Sequence, residues 1–241
     1  MILMDDNFAT IVAAVREGRS IYDNIRKAVH FLLSSNIGEI LTIFAAMVLG
    51  WATPLLPIQL LWVNLVTDSL PAIALGLDPA EEDIMERPPR RETSLFSGGL
   101  GSRIALEGMM IGMLALLAFG IGHVYFDGGQ GYVTGRTMAF AVLSLSQLVH
   151  AFNMRTEHSL FCLSLGSNPF LVGAFLIGCL LQVGVIMAEP LAAVFRVCPL
   201  SGVEWLIVAG LALVPLPVVE LEKWKNRKIS VKTEKNKSRK R

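Results

Sequence analysis

Cysteine is scarce: the 241 residues hold three, Cys162, Cys179 and Cys198, far apart and without metal-type spacing. An odd count in apolar surroundings excludes a disulfide framework and leaves buried free thiols as the reading. Charge is thin as well, at 17% of residues with a net charge of +1, against 53% hydrophobic residues and a mean hydropathy of +0.56. An ordinary soluble domain is excluded by that balance, and no nucleic-acid partner is expected. No positively charged leader with a cleavage site opens the chain, because MILMDDNF runs into a polar stretch. The first spanning helix is therefore expected to drive insertion.

Positive charge is missing from one side. Of the 21 Lys and Arg, only Arg136 and Arg196 fall in the loops read as external. The remainder cluster at the ends and in alternate loops, which predicts an even number of spans with both termini in the cytoplasm. Single cysteines placed at Gly129 and Ser230 should label from opposite sides; labelling from the same side would sink this topology.

Six apolar segments are present. The spans are read as 31–50, 57–76, 100–125, 137–153, 169–188 and 202–221, the last interrupted by Pro215 and Pro217. The fold class is thus an all-α polytopic membrane protein with the lipid bilayer as its partner. Ahead of the spans, 1–15 reads as the edge of a soluble domain too short to bury a core, with Asp6 or Asn7 as a helix cap. Residues 16–30 form a charged helix, 31–224 the six-helix membrane domain, and 225–241 a basic disordered tail attracted to anionic lipid. Between the second and third spans, 78–97 forms a polar strap whose Arg87, Arg90 and Arg91 place it in the cytoplasm, stiffened by Pro88 and Pro89.

Within 57–76, PIQLLWVNLVTDSLPAIALG, three polar residues interrupt an apolar run. Asn64, Thr67 and Asp68 stand at i, i+3 and i+4 and share one face of a helix. A carboxylate there costs about 3 kcal/mol on insertion scales, so Asp68 marks a cation or proton site. Carbonyl, hydroxyl and carboxylate oxygens suit a hard cation. Interhelical hydrogen bonding is the alternative for Asn64 and Thr67 taken alone. Pro71 removes a donor and weakens the helix next to Thr67. The preceding span carries Asn36 and Glu39 at i, i+3, and the tight connection at 51–56 folds the two spans into a hairpin that lets these residues approach Asp68.

Gln147, on the fourth span beside Ser144 and Ser146, is an uncharged oxygen donor at mid-depth. His150 reads as a hydrogen-bonded interior histidine with no second His or Cys nearby, and Glu107 as structural. Gly173 and Gly178 suit close helix packing.

DDNFATIVAAVREGRSIYDNIRK, SSNIGE, PIQLLWVNLVTDSLPAIALGLDP and DIMERPPR occur in that order and spacing. From Met1 to about Trp224 the chain resembles the C-terminal part of a P-type cation-transporting ATPase, of the sarcoplasmic-reticulum and secretory-pathway calcium-pump kind. The resemblance implies that 1–15 is a remnant of the phosphorylation domain, 16–30 the stalk, and the spans helices five to ten. Calcium-coordinating roles for Asn36, Glu39, Asn64, Thr67 and Asp68 follow from it, as does a coupling role for the DIMERPPR strap. Two departures stand out: Gln147 replaces a glutamate of the two-site calcium pumps, and Ser69 stands where those pumps usually have Gly. The DKTGT and TGDGVND motifs, the nucleotide domain and the first four membrane helices are absent.

The resemblance therefore implies a transport segment of an ATP-driven cation pump, with calcium as the transported ion. ATP and magnesium would act only through the missing domains, and the partners would be those first four helices with the actuator, nucleotide and phosphorylation domains. Manganese, sodium or proton coupling, or a non-enzymatic cation-binding or regulatory remnant, are the other readings. The simple loops and positive tail suit a bacterial plasma membrane.

Overall fold

A computed structural model describes residues 8–87, 96, 99–128, 131–156 and 165–225. The caps expected at Asp6 or Asn7, the strap residues Pro88, Pro89, Arg90 and Arg91, Cys162, and the tail from residue 226 lie outside them. The described part is helical throughout its regular elements, as expected of a polytopic chain.

Helix α1, Phe8–Val48, runs unbroken for 41 residues, roughly 60 Å at 1.5 Å per residue. The stalk and the first span, separate segments in the sequence reading, are one element. No proline falls within it, and helix propagation is cooperative, so nothing ends the helix where the chain passes from polar to apolar.

Beyond the turn at Gly50 (φ +68°), the second span is broken into three. Helix α2, Pro57–Trp62, gives way to a π-helical segment, Val63–Asp68, and then to α3, Ser69–Gly76. Expansion to π winding is frequent at functional sites, and here it ends three residues before Pro71, whose ring cannot accept a regular turn before it. The Ser69 hydroxyl donates to the Asn64 carbonyl at 2.9 Å. Serine at this position thus satisfies one carbonyl of the widened turn.

Four further helices complete the bundle: α4, Leu100–Tyr125; α5, Val133–Asn153; α6, Pro169–Met187; and α8, Gly202–Leu213. Short α7, Glu189–Phe195, lies between α6 and α8, and helix resumes over 215–225. Pro215 opens that last piece, where its missing N–H costs no helical hydrogen bond. The sixth span is therefore two helices end to end.

Among the described residues, five helices are long and apolar enough to cross a membrane: 8–48, 57–76, 100–125, 169–187 and 202–225. The fourth expected span, α5, is not one of them. Arg136, Gln147 and His150 lower its hydropathy, yet the helix is buried along almost all of its 21 residues. α4, α6, α8 and the π segment pack around it. Because α5 is solvated by protein, it carries polar side chains that a lipid-facing helix cannot.

Glycines set the closest approaches. On α4, a β-carbon at Gly108 would lie 2.8 Å from the Ser34 carbonyl, and one at Gly112 would lie 2.9 Å from that of Gly38. Thr42 donates to the Gly38 and Gly112 carbonyls at 2.7 and 3.3 Å, pinning α1 to α4. In α6 only one of the two expected packing glycines serves: Gly178 abuts Leu148, whereas Gly173 has no neighbour within 4 Å.

Candidate functional site

The candidate ion site forms where α1, the π segment and α5 meet. Glu39 is 5% exposed and Asp68 1%, so both acids are out of reach of bulk water. Asn64 donates through Nδ2 to Glu39 Oε2 at 2.9 Å. Gln147 donates through Nε2 to Glu39 Oε1 at 3.5 Å. Two amides from different helices thus bracket one carboxylate. Asp68 lies within electrostatic reach of Glu39 and beside Ser35.

What sets the site apart is a surplus of oxygen. The Asp68 carboxylate is buried with the Ser35 hydroxyl beside it, and the Oε1 of Gln147 and the hydroxyl of Ser144 are buried with no hydrogen-bond partner. Buried polar atoms are normally paired, and each orphan costs about 1–3 kcal/mol. Carboxylate, amide and hydroxyl oxygens gathered out of water are the complement of a cation that would replace its hydration shell with them. Among the described residues, no group of three or more His, Cys, Asp or Glu side chains is arranged to hold a metal ion. The site therefore rests on two acids supplemented by neutral oxygens.

Of the residues expected here, the structure brings together Glu39, Asn64, Asp68 and Gln147. Thr67 is fully buried, but its hydroxyl donates to the Val63 carbonyl at 3.0 Å. Asn36 is half-buried and spends its amide on the Leu32 carbonyl of its own helix at 2.7 Å. Nor do Asn64, Thr67 and Asp68 share one face as α-helical spacing predicts. The π turn leaves Asn64 exposed and Asp68 buried, because residues recur differently when a turn gains a member. Ser35 and Ser144 were outside the expected ligand set. Helical spacing could have found them, since Ser35 is i−4 from Glu39 and Ser144 i−3 from Gln147.

His150 is interior, at 0% exposure, as expected, but a second cluster corrects the expectation that no other histidine lies near it. His30 Nε2 lies 2.5 Å from Glu107 Oε2, and His150 Nε2 lies 3.4 Å from the same oxygen. A second histidine is therefore close by, brought from α1, 120 residues away in the chain. Sequence spacing carries no signal for this contact. Glu107 keeps its structural role, as the bridge that joins α1, α4 and α5, and it borders a cavity of about 260 Å³ lined also by Arg103, Asn153 and Lys223.

Known proteins agree with this architecture. Residues 52–225 match the family described as "Cation transporting ATPase, C-terminus". The chain is 47% identical over 238 residues to "Calcium-transporting ATPase 1" of Bacillus cereus, covering 92% of this chain and 27% of that one. It is 45% identical over 216 residues to "Calcium-transporting ATPase" of Bacillus subtilis, covering 89% and 24%. With "Calcium-transporting ATPase 3, endoplasmic reticulum-type" of Arabidopsis thaliana it shares 37% identity over 254 residues, covering 94% and 26%. The chain thus spans about a quarter of the length of these curated relatives. By matched residues and by its bundle of apolar helices, it is a multi-pass integral membrane protein that belongs to the cation-transporting ATPase C-terminal family, the membrane region of P-type calcium ATPases.

Proposed function

We propose that the chain is the transport segment of an ATP-driven calcium pump and holds part of its ion path. The observation that carries this is the pair of buried acids, Asp68 and Glu39, with the Ser35 hydroxyl beside Asp68 and the Gln147 amide on Glu39. Asp68 and Glu39 supply the charge that offsets dehydration of a divalent cation, and the amides and hydroxyls supply neutral oxygens. An amide's nitrogen and oxygen exchange places by a half-turn. Asn64 and Gln147, which now donate to Glu39, then present carbonyls instead. Asn36 and Thr67 complete the proposed ligand set if their helices turn, since both now face their own backbone.

Residues 1–15 belong in this reading to the phosphorylation domain and 16–30 to the stalk, with 31–224 as the transport domain and 225–241 as a cytoplasmic tail. ATP and magnesium act on the phosphorylation and nucleotide domains, and the first four helices and the actuator complete the machine. The membrane is a bacterial plasma membrane, as the Bacillus relatives suggest.

The test is ATP-driven uptake of radioactive calcium into vesicles that carry this segment joined to those domains. Calcium uptake supports the reading; uptake of manganese or sodium but not calcium would replace the cation, and no uptake of any would end it. Purified alone, the segment should hydrolyse no ATP, because the phosphorylatable DKTGT motif is absent from its 241 residues. A calcium-stimulated phosphoenzyme on the isolated segment would contradict that expectation.

A further inference from the structure

Two residues beyond the end of α3, Asp78 sits where helical geometry disfavours it. The C-terminal end of a helix carries partial negative charge, and a carboxylate there is repelled. Asp78 is nevertheless buried, at 6% exposure. Three groups from distant parts of the chain offset its charge. Lys27 of α1 reaches Oδ2 at 3.1 Å, Arg155 from the end of α5 reaches Oδ1 at 3.1 Å, and Asn168 at the start of α6 donates to Oδ1 at 2.9 Å. The last carbonyls of the region are taken in the same way. Asn168 donates to the Ala74 carbonyl at 3.0 Å, and Asn24 donates to the carbonyls of Gly76 and Asp78 at 3.3 and 2.7 Å. The cytoplasmic end of the ion-site helix is therefore held by side chains of the stalk and of α6.

A buried ion pair adds little net stability, because desolvation offsets its attraction, but it fixes geometry. The geometry fixed here connects the stalk to the site by a second route. Glu39 lies 12 residues beyond Lys27 on the same unbroken helix, and Asp68 lies 10 residues before Asp78, at the end of the π segment that leads into α3. A stalk displacement moves Glu39 directly through α1. It reaches Asp68 through the Lys27–Asp78 pair.

We propose that Asp78 is a positioning residue which, paired with Lys27, makes the two site acids follow one movement of the stalk; this rests on the reading of the chain as a pump segment. The joint lies deeper than the 82–87 strap. Lys27 also reaches Glu81 Oε1 at 3.2 Å, just ahead of that strap, which is tied to the stalk as well by Arg19 donating to the Ile84 and Arg87 carbonyls and by the Arg87–Asp23 pair.

The test uses the assembled pump with Asp78→Asn, Lys27→Met and Lys27→Arg, measuring calcium-dependent phosphoenzyme formation and calcium moved per ATP hydrolysed. Lys27→Met should phosphorylate with wild-type calcium dependence yet move about fivefold fewer ions per ATP or worse. Asp78→Asn should do the same, and Lys27→Arg should restore the ratio. If Asp78→Asn fails to insert because it takes a carboxylate from buried Arg155, the two Lys27 variants decide together with Glu81→Gln, which removes the other acid on Lys27 and should keep the wild-type ratio. A wild-type transport ratio in Lys27→Met overturns the joint and leaves the pump reading intact. Loss of calcium-dependent phosphorylation in Lys27→Met also overturns it, since Lys27 would then act on the site itself. A wild-type protein with no cation-dependent phosphorylation defeats the pump reading and the joint with it.

Discussion

Asp68→Asn in the assembled pump should abolish calcium-dependent phosphoenzyme formation at calcium concentrations that saturate the wild type. Asparagine keeps the size and one oxygen, but it removes the charge that compensates dehydration of a divalent ion. The effect should be large because Asp68 is 1% exposed and shares its surroundings with a second acid, Glu39, with the Ser35 hydroxyl beside it. A buried carboxylate beside a second acid is worth nothing to folding and is costly to keep. Were Asp68 only a packing residue, neutralising it would leave cation dependence unchanged and raise stability. Phosphorylation measured against calcium, after matching the amount of inserted protein, separates the outcomes; near-normal affinity would remove Asp68 from the site. Gln147→Ala should shift the calcium dependence less, because a neutral amide contributes one replaceable oxygen.

Gly122→Val should prevent the bundle from forming, which is the second large effect. A β-carbon at Gly122 would lie 2.6 Å from the Gly135 α-carbon and 2.9 Å from its nitrogen, so the obstacle is backbone. Overpacking that side chains can absorb costs about 1–3 kcal/mol, but here α4 and α5 must separate as rigid rods. Since α5 contributes Gln147 and is enclosed by the other helices, its displacement opens the whole interior. Gly173→Val is the control, with nothing within 4 Å of the added carbon. Folded yield in detergent, read by size exclusion and thermal aggregation, should collapse for Gly122→Val and stay at the wild-type level for Gly173→Val. Equal yields would show that α4 and α5 can part without cost.

Composition and order by themselves determined the all-helical membrane class, the 100–125 and 169–188 segments to within a residue, and Asp68 as the costliest residue in the bilayer. These follow from local physics: a run of about 20 apolar residues spans a bilayer wherever it occurs, and a carboxylate within it pays the same penalty. The motifs DIMERPPR, SSNIGE and NLVTD pointed to the family in the same local way. Tertiary structure decided the rest. Whether α5 faces lipid or protein, which of two glycines packs, and that His30 meets Glu107 and His150 depend on neighbours far away in the chain. Asn36 and Thr67 look equivalent to Glu39 and Asp68 by spacing, but only the folded bundle shows the former bonded to their own backbone and the latter turned inward. The π turn is the clearest instance. Pro71 announces a break in the helix, but how the turn widens, and therefore which way Asn64 and Asp68 point, is settled by packing of the π segment against α5, because a side chain's direction depends on what surrounds the helix as well as on its place in the sequence.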